Sequence, residues 1–130
     1  MNKKLPQNIE AEEVVLGLMM LSRTCLAEGI SGLTDNDFHK NTHALIFKGV
    51  QGLFEAGKEV GLISLTEQLK STNSLSAVGG ELKLAELTES SISDTEFSTY
   101  IEILKDKSVK RSIIKATNVI SKMGYEDRIG

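Results

Sequence analysis

Two histidines stand four residues apart in His39-Lys40-Asn41-Thr42-His43, the spacing that puts two metal ligands on one helix face. The general-base glutamate of the zinc-protease motif is absent. Asn41 and Thr42 read as a helix start, so His39 precedes the helix and the imidazoles diverge. Structural zinc normally takes four ligands, so the pair is read as structural or exposed and no metal ligand is assigned. Asp35-Asn36-Asp37 resembles the opening of a calcium loop, but the glycine and distal glutamate such a loop needs do not follow; an N-cap cluster accounts for it. Cys25 has no basic cluster beside it and reads as a small core or surface residue rather than a nucleophile. No G-x-x-x-x-G-K-[ST], G-x-G-x-x-G or G-x-S-x-G run occurs. No catalytic or cofactor-binding residue is therefore expected, and the chain alone is not expected to be an enzyme.

What remains is a set of elements. From Ile9 to Leu21 the apolar residues Ile9, Val14, Leu16, Leu18, Met19 and Met20 cover a broad face. Glu10, Glu12 and Glu13 suit the positive end of a helix dipole. Gly17 within it is expected to allow close helix contact. Gly29 and Gly32 mark a loop. A second helix over about 42–56 aligns Ile46, Val50, Leu53 and Phe54, with Gly57 as its stop. Ser64-Leu65-Thr66-Glu67 reads as a capping box opening a short helix through Leu69. Gly79-Gly80 precedes another with Leu84 and Leu87 inward. No strand-like alternation is sustained, so the fold class is all-α.

The last segment carries the most information. Ser93-Asp94-Thr95-Glu96 is a second capping box, and no glycine or proline follows until Gly124. A helix over 94–123 would be ~45 Å long at 1.5 Å per residue. The residues before it should form a globule only ~32 Å across. Such a helix overhangs its own domain. Phe97, Ile101 and Leu104 serve the globule, while Val109, Ile113, Ala116, Ile120 and Met123 continue an apolar stripe, widened by Ile114 about 100° from Ile113. That stripe is expected to be a self-association or partner surface. The competing arrangement lays the helix along a less compact globule.

The 130 residues carry 15 basic and 18 acidic side chains, a net charge of −3. Residues 1–94 hold 8 basic and 13 acidic side chains, and residues 95–130 hold 7 and 5. One cysteine excludes an internal disulfide and suits a reducing compartment. No apolar run approaches the ~20 residues of a membrane span, and no signal-peptide core follows the N-terminus, so a cytoplasmic protein with no membrane contact is expected. Lys105, Lys107, Lys110, Arg111, Lys115 and Lys122 give the long helix a basic side, interrupted by Asp106. A free-standing nucleic-acid-binding protein using that side is the alternative function, but no aromatic interleaves as a stacking platform. A solvated helix face is the preferred account.

Taken in order, Pro6-Gln7-Asn8-Ile9-Glu10-Ala11-Glu12, Val15-Leu16-Gly17, Asp37-Phe38, His43 with Ile46-Phe47, Leu62-Ile63-Ser64-Leu65, Val78-Gly79-Gly80, Leu84-Ala85-Glu86-Leu87 and Tyr100 with the long helix resemble the N-terminal domain of the bacterial replicative DNA helicase, the DnaB family. The resemblance covers about 5–125. It implies a helical globular subdomain over 1–93, the first helix of a dimerisation and primase-docking hairpin over 94–123, and a hairpin turn over 124–130. It also implies a RecA-like ATPase domain, using ATP and magnesium, that is absent from this chain. Implied partners are further copies of the chain (a hexamer built as a trimer of dimers), the C-terminal domain of primase and a helicase loader, with DNA met mainly by the motor. Ile114 and Ile120 fall at the family's isoleucine positions in the primase-contact region, and Lys83 stands where the family usually has an aromatic. His39, Thr42, Gly61 and Glu96 also depart from the usual residues.

Overall fold

The computed structural model describes residues 4–90 and 93–126. The first helix, α1 (Ile9–Leu21), begins where the sequence places it. The Asn8 side chain accepts from the Ala11 N–H at 2.9 Å, and Glu10 and Glu12 lie in the first turn. Nearly every residue from Ala11 to Met20 is buried, the signature of a helix covered on all sides. α2, α3, α6 and α7 all pack against it, and Gly17 is among its buried residues.

Ser22 ends α1 and starts α2 (Arg23–Gly32), its hydroxyl accepting from the Cys25 N–H at 3.2 Å. The loop expected at Gly29 and Gly32 is instead this helix. Gly29 is there for proximity: a Cβ would stand 2.7 Å from Met19 Sδ, closer than two such atoms approach without displacement. A 3₁₀ turn over Asp35–Asp37 then leads to α3 (Asn41–Glu55). That helix closes as expected at Gly57, whose φ of +72° suits glycine, with the Lys58 N–H returning to the Leu53 carbonyl at 2.9 Å.

Helix α4 (Leu62–Ser71) has its cap three residues before the expected one. Gly61 occupies the capping position, and the Ser64 hydroxyl accepts from its N–H at 2.9 Å. Ser64 thus serves as the third helical residue, with the same hydrogen-bonding chemistry one turn out of register. The single turn α5 (Leu75–Val78) and helix α6 (Gly80–Glu89) follow, burying Leu84 and Leu87. A 3₁₀ turn over Asp94–Glu96 replaces the first turn of the expected long helix, and α7 runs from Phe97 to Tyr125. It therefore extends two residues past Met123. Of the turn expected over 124–130, residues 127–130 lie outside the described residues. Among the described residues there is no strand, and no helix is long and apolar enough to cross a membrane.

The core joins α1, α3, α4, α6 and the first half of α7 through Leu16, Met19, Ile46, Phe47, Leu65, Leu69, Leu84, Leu87, Phe97 and Leu104. Phe54 departs from the stripe assigned to it, being 40% exposed. It lines a half-open cleft of about 500 Å³ together with Met19, Met20, Leu26 and Val60.

Candidate functional site: a docking helix and its polar anchors

The residues of α7 divide by their angle around the helix. Phe97, Leu104 and Arg111 are its buried residues, and they recur every seventh position, within ~20° of one line at 100° per residue. The apolar residues Val109, Ile113, Ala116, Ile120 and Met123 alternate at spacings of four and three, the pattern of a coiled-coil seam. They lie roughly 120–200° around from Arg111 by the same arithmetic, so the seam faces away from the globule. Beyond Arg111 every described residue is exposed. Ile113 is 58% exposed, Ile120 68% and Met123 64%. The helix therefore overhangs its domain, and it does not lie along the globule over its second half.

Ile114 and Ile120 do not share a face. They are about 120° apart around the helix, with Ile120 in the seam and Ile114, 36% exposed, beside the anchored side. Ile114 thus does not widen the seam; it flanks the line along which the helix is held. Lys83 lies on α6, where its ammonium meets Glu13 Oε2 at 2.7 Å, with both side chains about three-tenths exposed.

The basic side of α7 is partly spent on its own fold. Arg111, 4% exposed, donates to the carbonyls of Pro6 at 3.0 Å, Asp37 at 3.1 Å and Asn36 at 3.5 Å. Lys105 meets the Asp37 carboxylate at 3.0 Å, and Lys110 pairs with Asp106 one turn away. Asp37 also accepts from the Thr34 N–H at 2.8 Å, so it caps its own 3₁₀ turn rather than α3. A continuous cationic face for nucleic acid is therefore not presented, because the cations nearest the globule have protein partners.

The chain entering α3 is tied to α1. The buried Glu12 carboxylate accepts from the backbone N–H groups of His39 at 2.7 Å and Lys40 at 3.3 Å, and from His43 Nδ1 at 2.8 Å. His43 Nε2 makes no hydrogen bond and lies 3.8 Å from Glu13 Oε2. The two histidines are separated as the sequence suggests, with His39 ahead of α3 and His43 inside it. Among the described residues no three His, Cys, Asp or Glu side chains gather as a metal site would need. Cys25 is buried, and burial pushes its thiol above the ordinary range.

Glu12, His43 and Arg111 were not singled out by sequence reasoning as anchors, though a signal was present. Each is a polar residue inside an apolar stripe. Glu12 is aligned with Val15, Leu16 and Met19, His43 with Ile46, Phe47 and Val50, and Arg111 with Phe97 and Leu104.

The Lys83 hydrogen bond holds the Glu13 carboxyl below its usual value of 4.5, against a smaller opposing effect of burial. A carboxyl depressed by folding contributes stability above its unfolded value, and that contribution is lost as pH falls through the folded one. Lys83→Met should therefore remove stability at pH 7, with the deficit shrinking as pH falls below about 4.5, flattening the acid side of the stability profile. Urea titrations of both proteins across that range test this. Parallel profiles would show that the pair is electrostatically idle.

Residues 4–106 match the DnaB-like helicase N terminal domain. The chain is 34% identical over 125 residues to the replicative DNA helicase DnaB of Buchnera aphidicola subsp. Baizongia pistaciae, covering 96% of this chain and 27% of that protein. It is 33% identical over 132 residues to the replicative DNA helicase DnaC of Bacillus subtilis, covering 99% of this chain and 29% of that one. The chain thus spans less than a third of these relatives. Among solved structures, the N-terminal domain of DnaB helicase from Mycobacterium tuberculosis superimposes with a TM-score of 0.90 at 24% identity, covering 95% of this chain and 89% of that one, a likeness of fold. A DnaB-like replicative helicase, solved in a study of its interactions with primase, superimposes with a TM-score of 0.78 at 27% identity, covering 92% of this chain and 28% of that one. With four-fifths of its length matched to the family and a relative at 34% identity, the chain belongs to the DnaB-like helicase N-terminal domain family.

Proposed function

We propose that this chain is the oligomerisation and primase-docking domain of a replicative DNA helicase that works in the cytoplasm. The observation that carries the proposal is the apolar seam on the overhanging half of α7, opposite the face by which the helix is held. An exposed stripe with a 3.5-residue period is built to meet another helix. Its partners in this reading are further copies of the chain, arranged as dimers within a hexamer, and the C-terminal domain of primase. A helicase loader completes the set. Unwinding, with its ATP and magnesium, is assigned to a motor domain outside these 130 residues, which contain no phosphate-binding loop. DNA is met mainly by that motor.

Light scattering after size exclusion, with and without the C-terminal domain of primase, tests the reading. The double substitution Ile114→Asp with Ile120→Asp should leave helicity unchanged, because both side chains are exposed. If each residue is an interface anchor worth ~2 kcal/mol, primase binding falls roughly 30-fold for each. Because the two lie on different faces, the single variants separate the seam from its flank. Undiminished binding by the double variant would remove both residues from the site.

A further inference from the structure

We infer that Arg111 is the positioning residue that aims the docking helix, acting as the last of three anchors from which the overhang is levered. Phe97 and Leu104 hold α7 by apolar packing, a contact that resists separation but allows small sliding. Arg111 holds it by direction. Its guanidinium reaches two chain segments that do not otherwise follow one another, the Pro6 carbonyl before α1 and the Asn36 and Asp37 carbonyls of the 3₁₀ turn. A planar fork bonded on two sides fixes orientation as well as distance. Its acceptors are all backbone carbonyls, so no side-chain substitution elsewhere removes them.

The geometry gives a magnitude. From Phe97 to Arg111 the held length is about 21 Å, and from Arg111 to Tyr125 the free length is about the same, at 1.5 Å per residue. With Arg111 removed, the held length shrinks to about 10 Å and the free length grows to about 32 Å. A given slack at the last anchor then displaces the tip roughly twice as far, by simple leverage on those lengths. The seam residues Ile113, Ile120 and Met123 all lie on the levered arm. Their meeting with a partner therefore depends on a residue that touches no partner. This consequence for docking rests on the function proposed above, whereas the leverage itself does not.

Spin labels at Ile63→Cys on α4 and Lys122→Cys on α7, both exposed positions, measure the aim of the helix directly. Labelled chain is diluted in unlabelled chain so that only distances within one molecule are read. Cys25 is buried and is left unlabelled. Arg111→Met should broaden the distance distribution about twofold, following the lever arms above. Arg111→Lys, which keeps the charge but lacks the fork, should give an intermediate width and remains informative if the methionine variant does not fold. Lys105→Met removes the part-buried pair to Asp37 but leaves Leu104 and Arg111 in place, and should not broaden it. Widths equal to the parent's in both Arg111 variants overturn the inference, whatever primase does. Broadening with several-fold weaker primase binding supports both the leverage and the docking role. Broadening with unchanged primase binding supports the leverage and overturns the placement of docking on this helix.

Discussion

Replacing Glu12 by alanine is expected to lower the unfolding free energy by about 3–5 kcal/mol, the cost of leaving one buried and two partly buried donors without their acceptor. The carboxylate satisfies the N–H groups of His39 and Lys40 and the Nδ1 of His43. Alanine leaves the His43 Nδ1 buried, and the His39 and Lys40 N–H groups partly buried, without their acceptor, each costing ~1–3 kcal/mol where water does not enter. The loss is large beside the ~5–15 kcal/mol that separates folded from unfolded states in domains of ordinary stability. Glu12→Gln keeps an oxygen but introduces donors of its own, and should fall between alanine and the parent. Urea denaturation followed by circular dichroism measures the difference. A loss under ~1 kcal/mol for alanine would mean that water reaches the cluster and that Glu12 is not its centre.

Phe47→Ala should be comparably destabilising, by about 3–5 kcal/mol for the lost burial and the cavity left behind. Phe47 is fully buried, and its ring lies 5.1 Å from that of Phe38 at an interplanar angle of 34°. Phe38 sits between Asp37, whose carbonyl holds α7 through Arg111, and His39, whose N–H is held by Glu12. The ring pair thus seats the loop on which both polar anchors depend. The cavity variant is therefore expected to raise hydrogen exchange at the Thr34 and His39 amides, beyond the general loss of stability. Unchanged exchange there, relative to Leu69→Ala in the same core, would separate the loop from the ring.

The sequence made the helices legible where pattern and punctuation agree. Acids at the start and apolar residues throughout α1 give its two ends correctly, and Gly57 stops α3 where a left-handed residue is needed. The overhang of α7 follows from length alone, since ~30 helical residues are longer than the globule they leave. Gly29 misled because a glycine in a helix buried against a methionine leaves the same mark in sequence as a glycine in a turn. Lys105 and Arg111 were hidden within a run of cations, and only the fold shows which of them turn toward Asp37. The Glu12–His43 contact bridges 31 residues, and nothing local specifies it. A polar side chain on an apolar stripe is the trace that such contacts leave, and it identifies the residue without naming its partner.

The distance that Arg111 spans along the chain also has a meaning in time. It binds the carbonyl of Asp37, 74 residues earlier, and that of Pro6, 105 residues earlier. At a ribosomal pace of ~5–20 residues per second, roughly 4–15 s separate the synthesis of the 3₁₀ turn from that of its arginine. Through that interval the Asn36 and Asp37 carbonyls lack their arginine donor, while the helices up to α6 are progressively available to pack. Helix α7 is therefore fastened after the body it leaves, and a growing chain has that body before it has a direction in which to reach.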